Sequence, residues 1–177
     1  EALRRLALEL ERLACHTGDL GALAGDVGFL PTSSACGRLR GVLLNLTGAL
    51  CGNRFSRGLV VPGGAGQDLE PPRLGPFLET LERTRREVGD SVNLLWETPS
   101  VMGRFEGTGV LTKDLATALG LVGPAARASG LPRDVRAQFP AGLDESCPMA
   151  PQTALTGDVL GRAQVRELVF ERTTTPR

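Results

Sequence analysis

The sequence predicts a mainly helical α+β domain, a bundle of about four or five helices with a small β element. Apolar residues recur at every third or fourth position through long segments, and β-like runs are short. Prolines and glycines stand between these segments and mark their ends. Since 177 residues suffice for one ordinary core, we predict a single domain over residues 1–177.

Two helices are predicted at the start of the chain. Apolar positions within residues 3–14 lie on one face of the first helix. Small residues within 18–25 should let a second helix approach closely, which offsets the cost of glycine in a helix. Pro31 is expected to end this segment, and Ser33 or Ser34 to cap the second helix.

A short β element and a long helix are predicted next. Gly52 should stop the second helix, and residues 59–61 form the β element. A structural turn follows, made of Pro62, Gly63 and Gly64. The third helix runs from Pro71 or Pro72 to about Glu97. Its charged run "ERTRREVGD" is either the solvated side of the helix or a partner-docking patch.

The second half alternates short elements with irregular segments. "GTGVLT", residues 107–112, predicts a short strand, and Thr112 is the expected N-cap of a helix that ends at Gly120. "GPAARASGLPRDVR", residues 123–136, fits neither a helix nor a strand, because it combines two prolines, two glycines and several charges. A last helix over residues 158–172 should be capped by Thr156.

Composition excludes several classes of function. Lys+Arg and Asp+Glu number 20 each, so no global charge attracts nucleic acid or an anionic membrane. No apolar run reaches the roughly 18 to 20 residues of a direct membrane span. His16 is the only histidine, and a hydrogen-bonded structural role is favoured over metal binding. Every triad of the Ser-His-Asp or Cys-His type would need this one imidazole, which makes a hydrolase a poor interpretation.

The cysteines and glycine-rich segments do not form known cofactor motifs. The four cysteines are widely separated and contain no C-x-x-C pair, which favours reduced structural thiols over a metal cluster or a disulfide. They are Cys15, Cys36, Cys51 and Cys147. "GGAGQ" lacks the lysine of a phosphate-binding loop, and the G-x-G at residues 107–109 lacks a flanking βαβ unit. A nucleotide-binding fold is therefore rejected.

Arginines grouped with glycines and prolines are the candidate functional residues. Two interpretations remain open. Arg127 and Arg136 could pair with Asp134 or Asp114 and lock an irregular loop, because the guanidinium fork matches a carboxylate. Alternatively, these groups face a redox centre or a partner subunit, where fixed positive charge tunes a potential or a proton affinity.

Four ordered blocks resemble one family. They are "LELERLACHTGDLGALAGDVGF", "GNRFSRGLVVPGG", "RFEGTGVLTKDLATALGLVGPAARASGLPRDVR" and "GDVLGRAQVRELVFERT". They resemble the large-subunit family that unites nickel–iron hydrogenases of the formate-hydrogenlyase type with the 49 kDa quinone-site subunit of respiratory complex I. The resemblance covers nearly the whole chain and implies the same helical large-subunit fold.

The resemblance also implies what this segment lacks. Hydrogenase members bind nickel and iron through two C-x-x-C pairs, and neither pair occurs here. The segment resembles the central part of the subunit, truncated at both ends, so we expect no catalytic residue, no metal ligand and no cofactor in it. The full subunit would carry a nickel–iron centre, with iron–sulfur clusters in a partner. Complex I members carry histidine before Pro-Gly-Gly where Ser56 and Arg57 stand here, which favours the hydrogenase-like branch.

The function implied by the resemblance belongs to the full subunit. It is electron transfer with an iron–sulfur small subunit, in a complex on the cytoplasmic side of a membrane. This protein would be peripheral to the membrane, and the isolated segment would be inactive. The alternative is a non-catalytic structural or assembly domain of such a complex. Exposed apolar area predicts self-association of the isolated chain. The residues expected near the redox centre or the partner are His16, Arg54, Arg57, Arg104, Arg127, Ser129, Asp134 and Arg136.

Overall fold

The structure is a computed structural model that describes residues 1–142, 145 and 150–174, with residues 168–174 described by their backbone alone. Cys147 lies outside the described residues. The chain forms two compact units, of which the first contains Glu1–Leu94 and the second is Leu95–Arg172. The single domain over residues 1–177 stays a prediction.

Two long helices build the core of the first unit. Helix α1 spans Ala2–Asp26 and helix α2 spans Leu30–Cys51. They pack antiparallel, and a Cβ atom built on Gly21 would lie only 2.8 Å from the Cβ of Cys36. The expected close approach at the small residues is therefore confirmed. Fully buried leucines fill the interface, namely Leu10, Leu13, Leu20, Leu39 and Leu43.

The ends of α2 show one correct and one wrong prediction. Gly52 ends the helix in the left-handed conformation with φ of 74°, as expected. The start differs, because Phe29 is the N-cap residue and Pro31 lies in the first turn. Proline fits there, since its fixed φ suits the helix and its missing N–H has no intrahelical partner at that position. The capping role predicted for Ser33 or Ser34 is wrong.

A hairpin and all but the last two residues of a third helix belong to the first unit. Strand β1 (Val60–Val61) pairs antiparallel with strand β2 (Gly64–Ala65), so Pro62 and Gly63 form a two-residue loop. Helix α3 spans Pro71–Trp96, as predicted. Thr32 of α2 donates a hydrogen bond of 2.7 Å to the carbonyl oxygen of Ser91 on α3. Much of the charged run of α3 is exposed and carries ion pairs within the helix.

The second unit contains short helices and one longer helix. They are α4 (Pro99–Phe105), α5 (Lys113–Ala118), α6 (Gly123–Ala128), α7 (Val135–Gln138) and α8 (Val159–Thr174). The predicted cap of α5 is confirmed, because the hydroxyl of Thr112 accepts a hydrogen bond from the N–H of Leu115. Gly120 follows this helix with φ of 65°.

Three local predictions in this unit are wrong. Residues 107–112 form no strand, because Gly107 and Gly109 have φ of 66° and 63° and break the extended backbone. Residues 123–136 contain α6 and the start of α7, since Pro124 fits the first turn of α6. Asp158, not Thr156, caps α8, because its Oδ1 accepts the N–H of Gly161 at 2.8 Å.

The mainly helical fold with one small β element is confirmed, with eight helices and one two-stranded sheet in the described part of the chain. Among these described helices, none combines the length and the apolar character that crossing a bilayer requires.

Candidate functional site

The segment around α6 is tied to the rest of the second unit by its backbone. The carbonyl oxygen of Arg127 accepts the N–H of Ala154 at 3.0 Å, and that of Ala128 accepts the N–H of Gly157 at 2.9 Å. Arg127 is only 5% exposed, and its Nη1 donates to the carbonyl oxygen of Arg133 at 3.5 Å. Arg127 is thus part of the interior of this unit.

Asp134 and Arg136 form a two-point ion pair at the start of α7. Nη2 of Arg136 lies 3.1 Å from Oδ2 of Asp134, and Nε donates to Oδ1 at 3.3 Å. The backbone N–H of Arg136 also donates to Oδ1, at 3.1 Å. Both side chains are about nine-tenths buried, at 12% and 10% exposure. The pair therefore closes the turn and neutralises both charges within it.

Asp158 connects three segments of the second unit. Its carboxylate accepts hydrogen bonds from the N–H of Gly107 (2.9 Å), the N–H of Gly161 (2.8 Å) and the hydroxyl of Thr156 (2.7 Å). Burial alone would raise the pKa of Asp158, but these hydrogen bonds outweigh it and lower the pKa below its usual value. Nη2 of Arg162 donates hydrogen bonds to the carbonyl oxygens of Gly109 and Gly157 in the same region.

The predicted arginines of the first unit, Arg54 and Arg57, lie near the surface. The stem of Arg54 runs along α2 where Gly48 has no side chain, with Cγ 3.5 Å from the position of a Cβ there. Arg54 and Arg40 line a cavity of about 70 Å³ together with Glu11. Arg57 is exposed in the following loop. A wider groove of about 430 Å³ lies between α1 and α2 and is also lined by Arg40.

The remaining predicted residues are dispersed. His16 is buried on α1 in the first unit. In the second unit, Ser129 is buried and its hydroxyl donates to the carbonyl oxygen of Ala125 at 3.2 Å. Arg104 is exposed in the last turn of α4. By contrast, Asp134 and Arg136 are in direct contact within the second unit.

The environments of two described thiols, Cys15 and Cys36, oppose ionisation. Burial raises the pKa of Cys36 to about 11. Partial burial and the nearby carboxylates of Glu11 and Asp19 raise the pKa of Cys15, which is otherwise exposed, while Arg40 opposes them. The Cys51 thiol donates to two carbonyl oxygens, at 3.5 Å and 3.3 Å. Metal ligands are thiolates, so the environments of Cys15 and Cys36 do not suit a metal.

In residues 1–142, 145 and 150–174, no three His, Cys, Asp or Glu side chains are grouped so that they could hold a metal ion. The donor set described therefore does not fit a nickel–iron centre, which needs several thiolates in one place.

Sequence reasoning missed three residues that organise these regions: Asn53, Gly157 and Asp158. Asn53 has a local signal, because asparagine just after a helix often bonds the backbone two residues on. Asp158 has only the signal of a negative charge near a helix start. Its long-range partner, Gly107, is 51 residues away and leaves no sequence signal.

Comparison with known proteins finds similar chains. The model of the family described as respiratory-chain NADH dehydrogenase, 49 Kd subunit, matches residues 26–171. Formate hydrogenlyase subunit 5 of Escherichia coli K12 is 32% identical over 166 residues, which is 94% of this chain and 29% of that protein. A subunit of the NADH-quinone oxidoreductase of a Nocardioides strain is 30% identical, over 94% of this chain and 37% of that protein.

Two further comparisons agree. The carbon monoxide-induced hydrogenase of Rhodospirillum rubrum is 32% identical over 93% of this chain and 46% of its own length. A chain in the structure of the membrane-bound sulfane sulfur reductase, an archaeal respiratory membrane complex, superposes with a TM-score of 0.77. That match covers 99% of this chain and 50% of the other at 22% identity, and shows a shared fold. The chain spans between 29% and 46% of the length of these three curated relatives.

Proposed function

Since the chain belongs to the family of the respiratory-chain NADH dehydrogenase 49 kDa subunit, we propose that it forms the helical core of a hydrogenase-like or NADH-quinone-oxidoreductase-like large subunit. In this proposal the subunit takes part in electron transfer with an iron–sulfur partner subunit. The complex lies at the cytoplasmic side of a membrane, with this protein peripheral to it. The observation that carries the proposal is similarity to both branches over more than nine-tenths of the chain.

The two groups of arginines have different roles in this proposal. Arg127 and Arg136 are buried or nearly so, and the interactions of Arg136 with Asp134 support the bracing of a loop. Arg54 and Arg57 are exposed, and we assign them to the surface that faces the partner or its redox centre. Positive charge fixed at such a surface favours the reduced, more negative state of a nearby cluster.

The branch of the family is also part of the proposal. The sequence resembles complex I members in this stretch, but those members carry a histidine where Ser56 and Arg57 stand here. This difference favours a hydrogenase-like role. The described residues supply no nickel ligands, so this segment contributes the core and the charged surface.

The test uses the complete complex, isolated from membranes of the source organism through an affinity tag on this protein. We expect iron and a partner subunit to copurify, together with dye reduction by hydrogen or by NADH. The double variant Arg54→Ala, Arg57→Ala should lose most of the partner. The matched control is Arg4→Ala, Lys113→Ala, which removes two exposed positive charges outside the predicted site and outside the charged run of α3, and it should have no effect. A complex without iron or redox activity would contradict the proposal.

A second candidate is a non-catalytic structural or assembly domain of a membrane-associated redox complex. It is favoured by one observation, that the described part of the chain offers no grouped metal donors. Analysis for nickel, iron and zinc, with a count of free thiols, distinguishes the two. Metal that stays with this subunit when the complex is separated into its subunits supports the enzyme. A metal-free subunit from an active complex supports the scaffold.

A further inference from the structure

The loop after α2 is organised by one side chain, that of Asn53. Its Oδ1 accepts hydrogen bonds from the backbone N–H groups of Phe55 at 2.9 Å and Arg57 at 3.5 Å. Its carbonyl oxygen accepts the N–H of Ser56 at 3.2 Å and the buried thiol of Cys51 at 3.3 Å. Asn53 therefore holds the backbone on both sides of Arg54.

This loop contains a conformation that needs such a hold. Ser56 has φ of 56°, and it is the one residue other than glycine with positive φ in the described part of the chain. L-residues with a Cβ atom seldom adopt this region, and they remain there only where the surrounding contacts fix them. The hydrogen bonds of Asn53 to the residues before and after Ser56 are those contacts.

The direction of Arg54 depends on this backbone. Its stem fills the space above Gly48, and its Nη2 lies 3.9 Å from the position of a Cβ on Gly41. The side chain thereby extends over two turns of α2 and reaches the cavity it shares with Arg40. If residues 53–56 relaxed, the Cα of Arg54 would move and its guanidinium would leave this path.

We infer that Asn53 is a positioning residue, which fixes the loop of residues 53–57 and so holds Arg54 and Arg57 in one arrangement for a partner protein. The inference rests on the proposed function for what the two arginines contact. A loop whose backbone is already ordered avoids the entropic cost of ordering that backbone on binding, and this is why the arrangement strengthens association.

The first measurement is hydrogen exchange at the amide of Phe55, followed by NMR. Asn53→Ala removes the acceptor and should lower the protection of this amide about tenfold, as expected for one lost hydrogen bond. Asn53→Asp keeps an oxygen at Oδ1 and should retain the protection. Asn93→Ala is the matched control, because Asn93 is exposed on α3. Unchanged protection in Asn53→Ala would overturn the inference.

The second measurement is the recovery of the partner with the tagged protein from membranes. Asn53→Ala should reduce recovery about tenfold, through the cost of ordering the loop, and Asn53→Asp should restore it. If the Arg54→Ala, Arg57→Ala variant loses its partner but Asn53→Ala keeps it, the inference fails and the proposed function stands. If the double arginine variant keeps its partner, the role proposed for the arginines fails, and the positioning role fails with it.

Discussion

Replacing Asp158 by asparagine tests the central connection of the second unit. The two carboxylate oxygens accept three hydrogen bonds, with Gly161 and Thr156 at Oδ1 and Gly107 at Oδ2. Asparagine offers one oxygen and one NH₂ group. In either orientation of the amide, at least one donor therefore faces another donor inside the protein.

The expected cost follows from these contacts. A buried donor without an acceptor costs about 1 to 3 kcal/mol, and hydrogen bonds to a charged acceptor are worth about 1.5 to 3 kcal/mol. We therefore expect Asp158→Asn to lower the free energy of unfolding of this unit by about 2 to 4 kcal/mol at pH 7. The matched control, Asp114→Asn, changes an exposed aspartate in the first turn of α5 and should cost less than about 0.5 kcal/mol.

The assay is urea unfolding followed by the fluorescence of Trp96, the only tryptophan. It reports on this unit, because its Nε1 donates to Glu167 at 2.9 Å and its ring meets Phe105 edge-on. The pKa of Asp158 is lowered in the folded state, so its contribution is complete above the unfolded value of about 3.9 and is lost as pH falls through the folded value. The difference between wild type and variant should therefore shrink in acid. A cost below about 1 kcal/mol, or one independent of pH, would refute the reasoning.

Three further predictions concern backbone space and thiols. Gly157→Ala places a Cβ directly against the carbonyl oxygen of Leu111 and should lower the free energy of unfolding by roughly 3 kcal/mol or more. Gly120→Ala, at a similar positive φ but with open space around the new Cβ, should lower it by about 1 kcal/mol. Thermal unfolding measures both. Gly21→Ala should destabilise the packing of α1 on α2 by about 1 to 3 kcal/mol. Gly37→Ala, with nothing within 4 Å of the new Cβ, should stabilise the protein by about 0.5 to 1 kcal/mol. Equal circular-dichroism melting curves for the two variants would contradict both expectations. At pH 8 a thiol reagent should modify exposed Cys15 before Cys36 and Cys51, the two buried thiols of α2. Simultaneous reaction of the three in the native state would show the burial to be wrong.

The long helices could be predicted because their signal is local. The apolar periodicity of α1 and the stripe of α2 continue for many residues, and the buried leucines are those that the pattern selects. Gly52 was predictable for the same reason, since a left-handed residue after a helix is a property of glycine itself.

The wrong predictions share one cause, which is that tertiary partners decided the outcome. Residues 107–112 have the composition of a strand, yet their backbone bonds to Gly157 and Val159 instead of to a neighbouring strand. Thr156 is a good N-cap by type, but its hydroxyl donates to Asp158, which takes the capping role.

The candidate site was predictable only within short range. The pair of Asp134 and Arg136 lies two residues apart, and the sequence indicated Asp134 as a partner of this arginine. The path of the Arg54 side chain along α2 depends on two glycines and on the Asn53 loop, and neither composition nor periodicity contains that information.

The contacts of Asp158 also bear on the order of folding. Helices α1 and α2 are joined by residues 27–29, so their contacts form with little loss of chain entropy and should appear early. The bond between Asp158 and Gly107 closes a loop of 51 residues, and it cannot stabilise the transition state until that loop has closed. Substitutions at Asp158 should therefore speed unfolding and leave the refolding rate nearly unchanged, with a φ-value near zero, while substitutions at Gly21 should slow refolding.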